Sequence, residues 1–375
     1  MKTVLIFFLG IIFNLSAQNS VLSNIKFSGD FRFRVEQDWN SRKSDGTYRD
    51  DRSRLRYRAR LGVNYKFNDW ANVGVRVRTG DPKKQQDPQI TLGDASKEFG
   101  TLPIGFEKLF FEVKHKNFLG WLGKNTFPFK KNNEQFWSDN VYPEGVFLKN
   151  KFVLNSKMFN DVNISIGHFI VATSGESLDN DGYFEGLQTS WTMFNKKLSL
   201  FPSLYLFKNM PNIPDGDATF VFDYTVFHVG GELSLSKKPL INLEADYYNN
   251  IEDYSSTTNI PNQLKNETEG FVAGVSYGAL KTKGDWFFKL TYNYLEQYAA
   301  VDFLAQNDWV RWDYSSFNSP DGRLTNYKGT EFVTAYKLNK NMTFKMKCYF
   351  VDQLVAYGNY KENGNRIRFD FDVKF

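Results

Sequence analysis

Arginine is the residue type whose spacing first suggests chemistry in this 375-residue chain. Arg54, Arg56, Arg58 and Arg60 occupy alternate positions, with Leu55, Tyr57, Ala59 and Leu61 around them. Shorter versions recur at Arg32 and Arg34, at Arg76 and Arg78, and at Arg366 and Arg368. A guanidinium carries a permanent charge and a fork of N–H donors that fits carboxylates, phosphates and other anions. On one face of a strand, residues two apart lie about 6.7 Å from each other. Each like-charged pair then repels by roughly 0.6 kcal/mol in bulk water and by about 2.5 kcal/mol at an effective dielectric near 20. Such a series needs water, carboxylates or passing anions beside it, and Asp30, Glu36, Asp370 and Asp372 are the nearby counter-charges. Two roles follow: an ion-paired wall that stiffens a sheet, or a basic pore wall that favours anions. Anion bias is the expectation taken forward, so that Arg56→Ser with Arg58→Ser should shift ion selectivity and not stability alone.

Other reactive groupings are sparse. His115, His168 and His228 are scattered, and the chain has no HExxH, CxxC, GxSxG, P-loop or GxGxxG pattern. No catalytic residue, metal ligand or cofactor is expected. Glu244 and Asp246 point the same way two residues apart and read as a solvated wall. Cys348 is the single cysteine, so no internal disulfide can form.

The elements that must position the arginines alternate with period two. Side chains of a strand point to opposite faces in turn, which a helix cannot reproduce. Phe31, Phe33 and Val35 oppose Arg32 and Arg34; Val73, Val75 and Val77 oppose Arg76 and Arg78. Leu243, Ala245 and Tyr247 oppose Asn242, Glu244 and Asp246, and Phe369, Phe371 and Val373 oppose Asp370 and Asp372. Short connections such as Asn68-Asp69 and Lys237 to Pro239 alternate with long ones near 38–51, 80–103, 125–144, 172–183, 208–218, 249–269, 295–327 and 355–365. This rhythm predicts an all-β chain, a transmembrane antiparallel β-barrel of about 16 strands in an up-and-down meander, with short periplasmic turns and long extracellular loops.

Composition agrees: aromatics make 17%, hydrophobics 41% and charged residues 24%, with mean hydropathy −0.48. That excludes a bundle of spanning helices, which need about 20 apolar residues in a row, and it is too aromatic for a disordered chain. A soluble β-sandwich also alternates, but its strands need only about 5 to 6 residues, and aromatics here crowd strand ends, as at Tyr65, Phe67 and Trp70. Sixteen strands enclose an aqueous channel. Four arginines turned to lipid would cost roughly 10 kcal/mol or more, comparable to a whole protein's stability, so they must face the lumen.

Lys2, the apolar stretch Val4 to Phe13 and the small residues before Gln18 read as a signal peptide over residues 1–17, cleaved after Ala17, leaving 18–375 as a single barrel. Loss of Lys2 takes the formal charge from +5 to +4, too mild to suggest a nucleic-acid partner.

The stretches Phe31-Arg32-Phe33-Arg34, Asp51 to Asn64, Val73 to Pro82, Thr126-Phe127-Pro128-Phe129 and Pro143-Glu144-Gly145 resemble the putative porin family of Gram-negative outer membranes. In layout they are similar to phosphate-selective porins. The terminal Phe375 resembles the aromatic that the barrel assembly machinery recognises. The resemblance implies an outer-membrane porin surrounded by lipid, passively passing small hydrophilic or anionic solutes, and a homotrimer. By resemblance to porins whose third loop folds inward, loop 125–143 is expected to narrow the lumen; it carries Lys130, Lys131, Glu134, Trp137 and Asp139, with Glu134 and Asp139 opposing the arginine wall. Two alternatives are weighed. One is a solute-specific uptake channel with a lumenal binding track at Phe110, Phe201, Tyr205 and Phe287. The other is an outer-membrane barrel enzyme.

Overall fold

The computed structural model describes residues 23–83, 86, 88–93, 97–154, 156–175, 180–212, 220–310 and 324–375. The expected leader and its cleavage point after Ala17 lie outside the described residues. Sixteen antiparallel strands close into one barrel. In chain order they are β1 Ile25–Trp39, β2 Arg52–Lys66, β3 Ala71–Thr79, β4 Ile104–His115, β5 Phe118–Lys124, β6 Glu144–Val153, β7 Phe159–Ala172 and β8 Gly182–Met193. The second half runs β9 Leu198–Pro211, β10 Val221–Lys237, β11 Leu240–Asn250, β12 Glu269–Gly278, β13 Trp286–Leu295, β14 Tyr327–Lys337, β15 Met342–Gln353 and β16 Asn363–Lys374. Each strand pairs with its sequence neighbours, and β1 pairs with both β2 and β16, which seals the seam. Every ladder hydrogen bond is thereby made between strands, the requirement for crossing a bilayer without helices. No helix among the described residues is long and apolar enough to cross a membrane.

Alternation decides which face each residue takes. Phe31, Val35, Leu55, Leu61, Val146, Leu148, Ile164, Ile166, Leu243 and Leu290 all stand exposed on the outside. A band of that extent exceeds the few hundred Å² of apolar patch that soluble monomers show, and lipid is the solvent that suits it. The inward faces carry the charged side chains. Strand lengths are uneven: β5 has 7 residues and β3 has 9, against 17 in β10. Among the described residues, the long connections contain little regular structure beyond a hairpin of Ser41–Arg42 with Tyr48–Arg49, the Ile90–Thr91 segment paired to Arg56 and Tyr57 of β2, and short turns of 3-10 helix.

Candidate functional site

The barrel register sets the arginines against carboxylates of adjacent strands. β1 opposes Arg34 to Asp370 of β16 and Arg56 of β2, and opposes Asp30 to Arg60. Arg34 grips Asp370 with two bonds of 2.6 and 3.0 Å, and Arg32 grips Asp372 at 2.5 and 2.9 Å. Asp30 takes both Arg58 at 2.6 Å and Arg60 at 2.7 Å. Arg54 pairs with Glu36, Arg366 with Asp38 at 2.7 Å, and Arg76 with Glu107 at 2.5 Å. Arg56 and Arg78 donate to the carbonyls of Gln89 and Thr79 at 3.0 and 2.9 Å. Glu36, Asp38 and Asp370 are each 1% exposed. Buried charges persist only when paired, so this side of the lumen is an ion-pair lattice. Asp38, Glu107 and Asp308 are members of it that alternation within single strands did not single out.

The opposite side of the lumen is aromatic. Gly123, with φ +104°, lets the chain leave β5 into loop 125–143; a Cβ there would stand 2.4 Å from the Leu109 carbonyl oxygen. The loop then crosses inward-facing side chains of β8 to β14. Phe127 stacks on Trp137 at 4.5 Å, and Phe136 lies between Tyr205 and Tyr248 at 5.0 and 5.1 Å. Phe129 lies on Gly186 of β8, where a Cβ would come within 2.3 Å of the ring. Polar contacts fix the loop's ends and middle. Lys130 donates its backbone N–H to Gln188 at 2.7 Å, Tyr327 of β14 donates its hydroxyl to Gln135, and Asn132 and Asn133 donate to Asp246 of β11 at 3.0 and 2.8 Å.

The four charged residues of this loop make contacts the sequence did not indicate. Lys131 pairs with Asp139 at 2.6 Å, and Glu134 accepts the Asp139 N–H at 3.0 Å. These carboxylate contacts stay within the loop instead of reaching the arginines. Burial, then the neighbouring Asp139 charge, lifts the Glu134 carboxyl above its ordinary range. Lys130 bonds Ser199 Oγ at 2.5 Å and lies 5.1 Å from the Phe201 ring. The aromatics Phe110, Phe201, Tyr205 and Phe287 do not come together: Phe201 and Tyr205 are sealed under the loop, Phe110 lies over Gly74, and Phe287 lines a separate cavity.

A second long connection also enters. Residues 298–305, 309 and 310 include Tyr298, Val301, Phe303, Leu304 and Trp309, all buried. Ser138 N–H bonds the Leu304 carbonyl at 2.8 Å, tying the two loops together. Trp309 packs on Tyr327 and Tyr349 at 5.8 and 5.6 Å. Asp308 pairs with Arg368, and its backbone carbonyl accepts from Arg366 at 2.6 Å, so this segment bridges the aromatic side to the ionic one. Burial resists ionisation of Asp308, yet Arg368 and then Arg34 hold its carboxyl well below the usual range. A cavity of about 560 Å³ remains, lined by Lys131, Gln306 and Trp309 of the loops and by Lys289, Lys345 and Lys347 of the wall.

His228 also acquires partners. Its Nε2 lies 2.9 Å from Asp246 Oδ1 and its Nδ1 3.2 Å from Ser203 Oγ. The ring stacks on Tyr248 at 4.6 Å. Serine, histidine and aspartate in a row suggest nucleophilic catalysis. Here, however, all three are at most 4% exposed, Gln188 donates to the serine oxygen at 2.9 Å, and the loop asparagines occupy the aspartate. The arrangement holds the loop. Phe375 N–H bonds the Gly29 carbonyl at 3.0 Å, and Gly29 N–H bonds the Phe375 carbonyl at 2.8 Å, across the seam.

Solved structures similar to this barrel include bacterial porins. At 12% identity, OprB of Pseudomonas putida superposes with a TM-score of 0.56, covering 96% of each chain. OmpF of Salmonella typhi, solved with daunomycin, gives 0.55 at 12% identity over 94% of this chain and 97% of its own. A loop-deletion mutant of Vibrio cholerae OmpT gives 0.50 at 13% identity, over 94% and 99%. No curated protein sequence matches the chain significantly. Residues 43–221 match the model of the family described as "Putative porin". The chain therefore carries the putative porin family's sequence pattern over residues 43–221, on a barrel that has the porin fold along nearly its whole length.

Proposed function

We propose that the protein is an outer-membrane porin, a passive channel for small hydrophilic solutes with a preference for anions. The observation that carries this reading is a closed sixteen-stranded barrel with an apolar outside and a charged inside. A barrel of that strand number holds an aqueous path, and charged groups lining a pore set its ion preference. In this reading loop 125–143 and the segment around Trp309 fill part of the lumen beside the 560 Å³ cavity, and loop 125–143 acts as the constriction. Reconstitution in planar bilayers tests the reading: stepwise conductance and a reversal potential of anion-preferring sign are expected in a salt gradient. A purified barrel that inserts without conducting would overturn it.

The low wall at β5 supports self-association. Seven residues at about 3.4 Å each reach roughly 24 Å before tilt, short of the apolar band of about 25 Å once tilted. A second copy covers that face in this reading, with a homotrimer as the assembly, and detergent-phase crosslinking should trap oligomers. The seam partner Phe375 is read as the signal for the barrel assembly machinery. Saturable block by a particular solute would favour a solute-specific channel using the cavity under Trp309.

A further inference from the structure

We propose that anions are selected by four lysines, Lys108, Lys130, Lys149 and Lys345, and not by the arginine wall. The proposal rests on the channel reading above and names the residues that give it ion preference. The arginine–carboxylate pairs of 2.5 to 2.7 Å present a dipole to a passing ion. Where one carboxylate serves two arginines, as Asp30 serves Arg58 and Arg60, or carbonyls take the bonds, as for Arg56 and Arg78, the arginines Arg56, Arg58 and Arg78 are at most 7% exposed. Dipole fields fall off faster than those of a single charge, and salt screens what is left beyond about 8 Å. An ammonium without a near carboxylate acts as a full charge.

Most lumenal lysines are neutralised too: Lys151 has Asp161 at 3.3 Å, Lys347 has Glu331 at 2.9 Å, and Lys289 is paired with Glu244. The four are different. Among the described residues, Lys108 has no carboxylate within ion-pair distance; it bonds Thr126 Oγ1 and lies 5.3 Å from the Tyr142 ring. Lys149 on β6 faces the lumen beside Lys151 and makes no ion pair within 4 Å among the described residues; the nearby carboxylate, Asp161, is held by Lys151. Among the described residues, Lys130 has only Glu232 within ion-pair distance, at 3.9 Å, and Lys345 only Asp372, at 3.9 Å, a carboxylate already gripped twice by Arg32. Burial pulls Lys130 below the usual lysine range, with Glu232 opposing, as expected of a cation whose desolvation is not repaid. The four stand on β4, loop 125–143, β6 and β15; Lys130 lies near enough to Lys149 to feel its charge, and no two adjacent strands present any of the four together. A scattered set repels cations and draws anions along the path without chelating one of them. Discrimination among small anions should accordingly be weak.

The test is the reversal potential in a KCl gradient for wild type, for a quadruple Lys→Gln variant at 108, 130, 149 and 345, for the matching quadruple Lys→Arg variant, and for Arg58→Gln. The quadruple Gln variant should lose the anion preference severalfold, to parity or below. The Arg set should keep it, and Arg58→Gln should move it less than half as far as the Gln set. A Gln set with the wild-type potential, or Arg58→Gln shifting it as far, would overturn the assignment while leaving the channel reading intact. A wild type without anion preference would overturn both. Should the quadruple variant not assemble, Lys149→Gln and Lys345→Gln singly must each shift the potential, and two unchanged potentials refute the proposal.

Discussion

Asp246 is the point at which loop 125–143 can be loosened by one substitution. Its carboxylate, 1% exposed, serves three donors: His228 Nε2 at 2.9 Å, Asn132 at 3.0 Å and Asn133 at 2.8 Å. In Asp246→Ala, Asn132 keeps its bond to the Gly231 carbonyl at 2.8 Å, whereas Asn133 and His228 lose their acceptor. Asn133 is only part-buried, and losing its bond to a charged acceptor costs about 1–3 kcal/mol. Asn133 escapes that cost when the loop lifts into water, so the seated state is weakened by about that much. Phe136 and Trp137, 5% and 2% exposed, oppose lifting; burial of such side chains contributes about 1.5–3 kcal/mol each. The apolar seat wins, and the loop stays down most of the time. A loss of 1–3 kcal/mol still multiplies the lifted population by roughly 5 to 140. Single-channel traces of Asp246→Ala should therefore show brief steps to higher conductance on an unchanged main level. Adding Trp137→Ala, at about 3–5 kcal/mol, should turn those steps into a permanently raised level. A folded Asp246→Ala barrel with wild-type mean and noise would refute this energy balance.

Three further outcomes follow from the same lumen. Deletion of Lys131 to Asp139 should raise single-channel conductance, and an unchanged value would remove the loop from the constriction. In Asp308→Asn, Arg368 at 2% exposure loses its carboxylate; breaking a buried pair costs about 3–5 kcal/mol, so thermal unfolding of the barrel should begin at a clearly lower temperature, and an unshifted melting curve would deny the pair its bridging role. The raised Glu134 favours the protonated form in the seated loop; its contribution is complete below the ordinary glutamate value of about 4.3 and fades as pH rises through the elevated one. Current noise should thus grow with pH across the range just above ordinary glutamate titration in wild type and stay flat in Glu134→Gln, and pH-independent wild-type noise would contradict it.

Much of the architecture was legible because one physical fact acts on every strand: lipid outside and water inside impose the same alternation from Phe31 to Phe371. The short and long connections then order the strands. Contacts between strands were less legible, since alternation is unchanged by a slip of two residues. Ser203, His228 and Asp246 meet only because the β9–β10–β11 register sets Ser203 opposite His228 and Gly230 opposite Asp246. Their separations of 25 and 18 positions match no motif. The stretch Tyr298-Ala299-Ala300-Val301 is apolar without period, so nothing in it distinguishes a loop that turns inward from one that does not. Phe127 and Phe129 gave a signal that could have been used: two buried-type aromatics flanking a proline in a long connection that also carries Phe136 and Trp137.

The two banks of the lumen answer to different conditions. Dissolved salt reaches the part-exposed pairs such as Arg32 with Asp372 and Arg52 with Asp38 and weakens them, while it barely touches the rings around Phe136. Chilling does the reverse, because the hydrophobic attraction between rings declines as water cools. Salinity should therefore loosen only the outer pairs of the β16–β1–β2 flank, leaving buried ones such as Arg34 with Asp370 in place, while cold should loosen the ring contacts of the β8–β11 flank.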